Sequence, residues 1–187
     1  MKNRLADEEE ELSKVSSAAQ RESAIELAKK AEEWLEETAN AATPVTEYKD
    51  HLKAITTVAD AIFTRFSELT ARPQAIKKVN SAILQLRTAI STWSEKLPQI
   101  TKNETEQMLA SIQQVEEWIE AKQALQSTHD PTLAPLFNST ETLLQLKPVQ
   151  ALYEKLIRKP KPPPAQEKVG FQVIILCIIA VYSFLYF

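Results

Sequence analysis

The chain has 187 residues, of which 25% are charged and 44% apolar, and its formal net charge is −3. That suits one foldable domain with an appendage, and it argues against a nucleic-acid binder, which needs a basic surface to neutralise phosphates. The single glycine, Gly170, and the single cysteine, Cys177, exclude more. Phosphate-cradling loops and dinucleotide fingerprints need several glycines for close backbone approach. One cysteine makes neither an internal disulfide nor a cysteine-based zinc site. His51 and His129 have no serine or cysteine nucleophile in a recognisable setting, so both are read as surface or capping residues. The expectation is a protein with no enzymatic activity, no catalytic or cofactor-binding residues and no metal.

Met1 to Glu11 is polar, with an acidic run from Asp7, and shows no apolar stretch of a signal peptide. Either the body faces the cytosol or the sequence is the end of a longer protein. Met1 to about Val15 is expected to be weakly helical. Ser17 to Gln20 then reads as a capping box, in which hydroxyl and amide satisfy the free amides of a helix start. Leu27, Ala31 and Trp34 share one face of that helix, which should stop near Asn40 because Thr43-Pro44 disfavours helical backbone.

A second helix carries Val45, Tyr48, Leu52, Ile55, Ala59, Ile62, Phe66 and Leu69, an alternating 3, 4 heptad stripe. Arg72-Pro73 is expected to end it, with Pro73 opening a third helix at its first position. Ile76, Val79, Ile83, Leu86, Ile90, Trp93 and Leu97 repeat the heptad, and Pro98 closes it. Two such helices joined by almost no loop should pack antiparallel. A fourth helix follows a second capping box, Thr101 to Glu104, with Met108, Ile112, Val115 and Ile119 as its stripe. Ser127 to Pro135 reads as a loop. A fifth helix from Ser139 to Arg158 contains Pro148, so a kink or a broken first half is expected.

Glu32-Glu33-Trp34-Leu35-Glu36 is echoed by Glu116-Glu117-Trp118-Ile119-Glu120. Each tryptophan reads better as a core anchor near a bundle end than as part of a ligand cage. Lys159-Pro160-Lys161-Pro162-Pro163-Pro164 is a stiff extended spacer. Val169 to Phe187 is 19 residues without a charge, which as a helix would span roughly 28 Å, enough for a thin bilayer. The basic residues before it favour a cytosolic body. Asn103-Glu104-Thr105 and Asn138-Ser139-Thr140 are glycosylation sequons, usable only if the body is lumenal.

An ordered set of residues resembles a known family. It comprises Ala31 to Glu37 with Trp34-Leu35 at its centre, then Thr43, Tyr48-Lys49 and Leu52. Ile62-Phe63, Arg65-Phe66, Glu68-Leu69 and Arg72-Pro73 follow, and then Val115 to Trp118, Ser139, Glu141 and the Lys159 to Pro164 run. The set is similar to the C-terminal helical lid of the large seventy-kilodalton-type heat-shock chaperones. It is nearest the hypoxia up-regulated branch of the endoplasmic reticulum, and it covers about Ser17 to Pro164. The resemblance implies a chaperone with a nucleotide-binding domain, a β-sandwich peptide-binding domain and this bundle, whose partners are ordinary heat-shock chaperones and unfolded polypeptides. Only the bundle has a counterpart here, so any ATP dependence would come through domains absent from this chain.

The expected architecture is therefore all-α: an antiparallel bundle of about four to five helices, a Pro-rich linker and one C-terminal transmembrane helix. The expected divisions are an acidic N-terminal segment (1–16), the bundle (17–158), a basic linker (159–168) and a membrane anchor (169–187, Val169 to Phe187). Trp34, Phe66, Leu86, Trp93 and Trp118 are the expected core anchors, and Asn103 and Asn138 the candidate glycosylation sites. The expected function is binding a partner chaperone or unfolded clients at an endoplasmic-reticulum membrane, cytosol-facing if tail-anchored and lumenal if a fragment of a longer precursor. The competing reading is a tail-anchored tether unrelated to chaperones. The loop Ser127 to Phe137 and the exposed flanks of the fourth and fifth helices are the candidate contact surfaces.

Overall fold

The structure is a computed structural model that describes residues 8–161. Within them the chain is helical, with no strand. We number the elements α1 (Glu9–Leu12), α2 (Ala18–Glu37), α3 (Val45–Ile90), α4 (Trp93–Lys96), α5 (Lys102–Ser127), α6 (Ser139–Leu144) and α7 (Leu146–Ile157). Three of them begin with reciprocal capping boxes, at Ser17/Gln20, Thr101/Glu104 and Asn138/Glu141. In each, two otherwise orphaned amides find side-chain acceptors.

The largest departure from expectation is α3. Its 46 residues run straight through Pro73, so no second and third helix exist to pack antiparallel. The heptad stripe before Pro73 ends on Leu69 and the one after it starts on Ile76; the steps Leu69–Pro73–Ile76–Val79 are 4, 3 and 3, so the stripe shifts phase just after the proline, and Pro73 itself is exposed. A proline removes one helical hydrogen bond and crowds the carbonyl four residues back. That local cost, about 3 kcal/mol, is outweighed where packing on both sides holds the helix in place. Here Ile62 and Glu68 on one side and Ala75 and Val79 on the other are all buried.

Two separate cores are strung along this helix. Near its first half, Leu12, Ala24, Ala59 and Ile62 form one cluster, joined by the half-buried Ile25, Val58, Phe63 and Phe66. Along its second half, Val79, Ile83 and Ile90, with Trp93 of α4, meet Met108, Ile112, Val115 and Ile119 of α5 and Leu146, Val149 and Leu156 of α7. The fold is thus a two-helix hairpin at one end and a three-layer helical bundle at the other, with α3 common to both.

Other boundaries shift for identifiable reasons. Of the N-terminal segment, the described residues 8–15 hold one turn of helix that stops at Leu12 rather than continuing to Val15, yet Leu12 and Val15 are both fully buried. The last helix breaks at Gln145, and Pro148 sits in the first turn of α7, where a missing N–H costs little. The membrane-spanning part of the expected fold is withdrawn: no helix among the described residues is long and apolar enough to cross a membrane. The segment Val169 to Phe187, on which that expectation rested, lies outside the described residues, as does most of the 159–168 linker.

Candidate interaction surface

The expected core anchors divide into two kinds. Trp93 is buried, at 3% exposure, and packs its ring on Tyr153 at 5.7 Å. Trp34, Phe66, Leu86 and Trp118 are only half-buried. Leu86 and Trp118 lean on the larger core and Phe66 on the smaller one. Trp118 also meets Phe137 edge-on at 5.7 Å. Asn103 is exposed on the first turn of α5, and Asn138 is the half-buried N-cap of α6, its Oδ1 accepting from the Glu141 amide at 2.8 Å.

Trp34 defines the most distinctive surface, at the tip of the α2–α3 hairpin. Its ring stacks on His51, with centroids 4.2 Å apart, and meets Tyr48 edge-on at 5.0 Å. The connection between the helices is tied by its own side chains. Thr43 Oγ1 accepts from the Asn40 amide at 2.9 Å, and Asn40 Oδ1 accepts from the Ala42 amide at 2.9 Å. On this rigid base sit Leu35, Val45 and Leu52, which are 50, 66 and 60% exposed. Two helices alone cannot enclose a heptad stripe. The stripe that is buried at Ala59 and Ile62, where α1 lies over it, is left open at Val45 and Leu52, where nothing among the described residues does. Around it, residues 32–53 carry six carboxylates against two lysines.

A second region joins the hairpin to the bundle. Glu68, nearly buried in α3, accepts hydrogen bonds from Ser139 at the start of α6. One helical turn on, the Arg72 guanidinium lies 5.3 Å from the centre of the Phe137 ring. Burial pushes its pKa down while Glu68 pushes it back up. Arg65 donates to the Val15 carbonyl at 2.7 Å and to Gln20 Oε1 at 3.0 Å, and Gln20 Nε2 reaches the Thr132 carbonyl at 3.2 Å. The loop expected to be a contact surface therefore spends much of itself bracing α3 around Pro73. Its Asp130 is held below the usual carboxylate range chiefly by the Thr132 amide, and the His129 ring lies 2.8 Å from the Ala134 carbonyl. Leu133 and Leu136 remain exposed. Sequence reasoning missed this brace. Glu68 lies off the apolar stripe, and no spacing rule pairs residues 71 apart.

A third feature is chemically plain. A shallow depression of about 400 Å³ lies on the outer face of α3, lined by Pro73, Ile76, Lys77, Asn80, Ser81 and Leu84. Among the described residues, no cluster of three or more His, Cys, Asp or Glu side chains is placed to hold a metal.

Comparison with known proteins points one way. Over 162 residues the chain is 28% identical to heat shock 70 kDa protein 17 of Arabidopsis thaliana, covering 85% of this chain and 18% of that one. It is 24% identical over 170 residues to the 97 kDa heat shock protein of Mesocentrotus franciscanus, covering 89% and 19%. It is 28% identical over 134 residues to heat shock 70 kDa protein 4 of Homo sapiens, covering 70% and 16%. No protein-family profile and no solved structure matches the chain. It spans about a fifth of the length of the curated relatives it matches. The homologues of this chain are large heat-shock proteins of the seventy-kilodalton superfamily, at low identity, and its helical architecture is consistent with their C-terminal helical domain.

Proposed function

We propose that this chain is the helical domain of a large heat-shock-type chaperone or co-chaperone, of the endoplasmic-reticulum branch that its sequence resembles, and that it acts by binding polypeptide. It carries out no reaction of its own and takes no nucleotide. The single observation that supports this reading is the open apolar stripe at the hairpin tip. Soluble domains scatter exposed apolar residues singly, whereas Leu35, Val45, Tyr48 and Leu52 gather on adjoining turns of two helices over an ordered aromatic base. Similarity to heat-shock proteins supports reading that surface as one that captures a partner chaperone or an unfolded segment.

The test is suppression of aggregation. The purified chain, mixed with a thermally unfolding client protein, is expected to lower light scattering in a dose-dependent way without ATP. Scattering unchanged at a molar excess of chain, together with no complex on co-sedimentation with a seventy-kilodalton heat-shock chaperone, would remove the proposal. Heat evolved on titrating ATP into the chain alone would overturn its nucleotide-independent part.

A further inference from the structure

We propose that the hairpin tip docks a cationic amphipathic segment of another polypeptide, one that carries aliphatic side chains beside lysine or arginine. The inference rests on the binding reading above and narrows it to one place and one chemistry.

The apolar component is set by geometry. Leu35 on the last turn of α2 and Val45 and Leu52 on the first turns of α3 are each at least half exposed, and Tyr48 offers an aromatic edge held against Trp34. Covering such side chains removes apolar area from water at about 25 cal/mol per Å². Because the base is pre-ordered by the Trp34–His51 stack and the Asn40–Thr43 turn, little conformational entropy is spent at the tip when a partner arrives.

The ionic component selects the partner. Glu32, Glu33, Glu36 and Glu37 line the end of α2, and Glu47 and Asp50 the start of α3, with only Lys49 and Lys53 among them. Among the described residues, Glu36, Glu37, Glu47 and Asp50 have no cationic partner. Elsewhere Lys30 is engaged by Glu26, Arg87 by Glu116 and Lys159 by Glu104. At physiological salt a field of this kind acts over about 8 Å, the range of a docked side chain, so it discriminates between partners at contact. It repels acidic segments, nucleic acid and anionic lipid headgroups. It also disfavours a second copy of this chain, since a two-fold contact would set the same carboxylates against themselves. What remains is a segment with cations at its flanks and aliphatic side chains between them.

Fluorescence anisotropy with labelled peptides on the full chain tests this. A short Lys/Leu peptide is expected to bind, and Glu/Leu and Lys/Ser peptides of equal length are not. Leu35→Ser with Leu52→Ser, at exposed positions where folding is unaffected, is expected to weaken Lys/Leu binding about tenfold or more. Glu36→Lys with Glu37→Lys is expected to weaken it too and to turn preference toward the Glu/Leu peptide. Leu84→Ser, on the other half of α3, is the control and leaves binding unchanged. Equal affinity for Lys/Leu and Glu/Leu peptides, or binding indifferent to the Leu35/Leu52 change, overturns the proposal. If the doubly substituted chain still suppresses client aggregation while its peptide binding is also intact, the general binding reading survives and only this location falls. If wild-type chain neither suppresses aggregation nor binds peptide, both fall.

Discussion

Ser139 gives both its backbone amide and its hydroxyl to Glu68, at 2.8 Å and 2.7 Å to the two carboxylate oxygens, across 71 residues of sequence. One carboxylate thus caps the first turn of α6 from outside and fixes that helix to α3 just before Pro73. Charge-assisted bonds to a nearly buried carboxylate are about twice as strong as neutral ones. Glu68→Gln keeps the shape and loses the charge, and is expected to lower stability by about 1–2 kcal/mol. Glu68→Ala leaves the Ser139 amide without an acceptor and is expected to cost about 2–3 kcal/mol. Urea titration followed by circular dichroism reads both, and equal stability of all three proteins would show that Ser139 is held by something else.

Acid should act at Glu104. Its carboxyl is lowered from 4.5 to about 2, chiefly by the Lys159 ammonium and then by the Thr101 amide and hydroxyl. A carboxyl with a depressed folded-state pKa contributes stability above its unfolded pKa and loses it as pH falls through the folded one. The contribution is therefore whole above about pH 4.5 and fades toward pH 2. Glu104→Gln is expected to flatten the acid limb of a pH–stability curve in that window, measured by thermal melts at stepped pH. An unaltered limb would show that the 2.8 Å contact with Lys159 is not kept in solution.

Trp93→Ala should be the most costly aromatic truncation, at about 3–5 kcal/mol, because Trp93 is buried in the larger core against Tyr153. Trp34→Ala, at the half-buried tip, is expected to cost clearly less while impairing polypeptide binding. Chemical denaturation and the peptide assay separate the two effects. A reversed order would mean that the tip, not the bundle, is the better packed end.

Pro73→Ala restores an amide hydrogen to the middle of α3. Because the helix is already continuous there, the change should stabilise the protein by about 1–3 kcal/mol, offset in part by a freer unfolded chain. Loss of stability on this substitution would show that the proline ring makes contacts that the lost hydrogen bond does not outweigh.

Much of this was legible in the sequence where a local rule applies. The capping boxes at Ser17 and Thr101 have fixed spacings, and the Pro148 break follows from one missing amide. The heptad positions are legible as well, but Arg72-Pro73 reads as a helix end and is not one. The local preference of proline and the change of phase after Ile76 both point to a break there, and only the packing of Glu68, Ala75 and Val79 on either side shows that the helix continues. Once that helix is joined, the expected antiparallel pairing disappears, and with it full burial of the stripe at Val45 and Leu52. The brace of Glu68, Arg65 and Gln20 was illegible for a different reason. Its members are polar, sit off the apolar face and meet partners far away in sequence, and no periodicity encodes such meetings. The tip lay between these cases. Its residues read as core because the pattern says which face is apolar, not whether a third helix covers it.

The length of α3 has a mechanical consequence. Its 46 residues make a rod of roughly 70 Å at 1.5 Å per residue. Trp34 and its neighbours stand at one extremity. Lys159 is clasped by Glu104 near the other, beside Gln99, whose side chain bonds the Lys159 carbonyl at 3.3 Å. The domain is thus built as a boom: a segment bound at the hairpin, as proposed above, would be held most of a bundle's length from Lys159. A bend at Pro73 would swing that segment through a wide arc, and the Glu68–Ser139 clasp sits where a small hold on the joint has the greatest leverage.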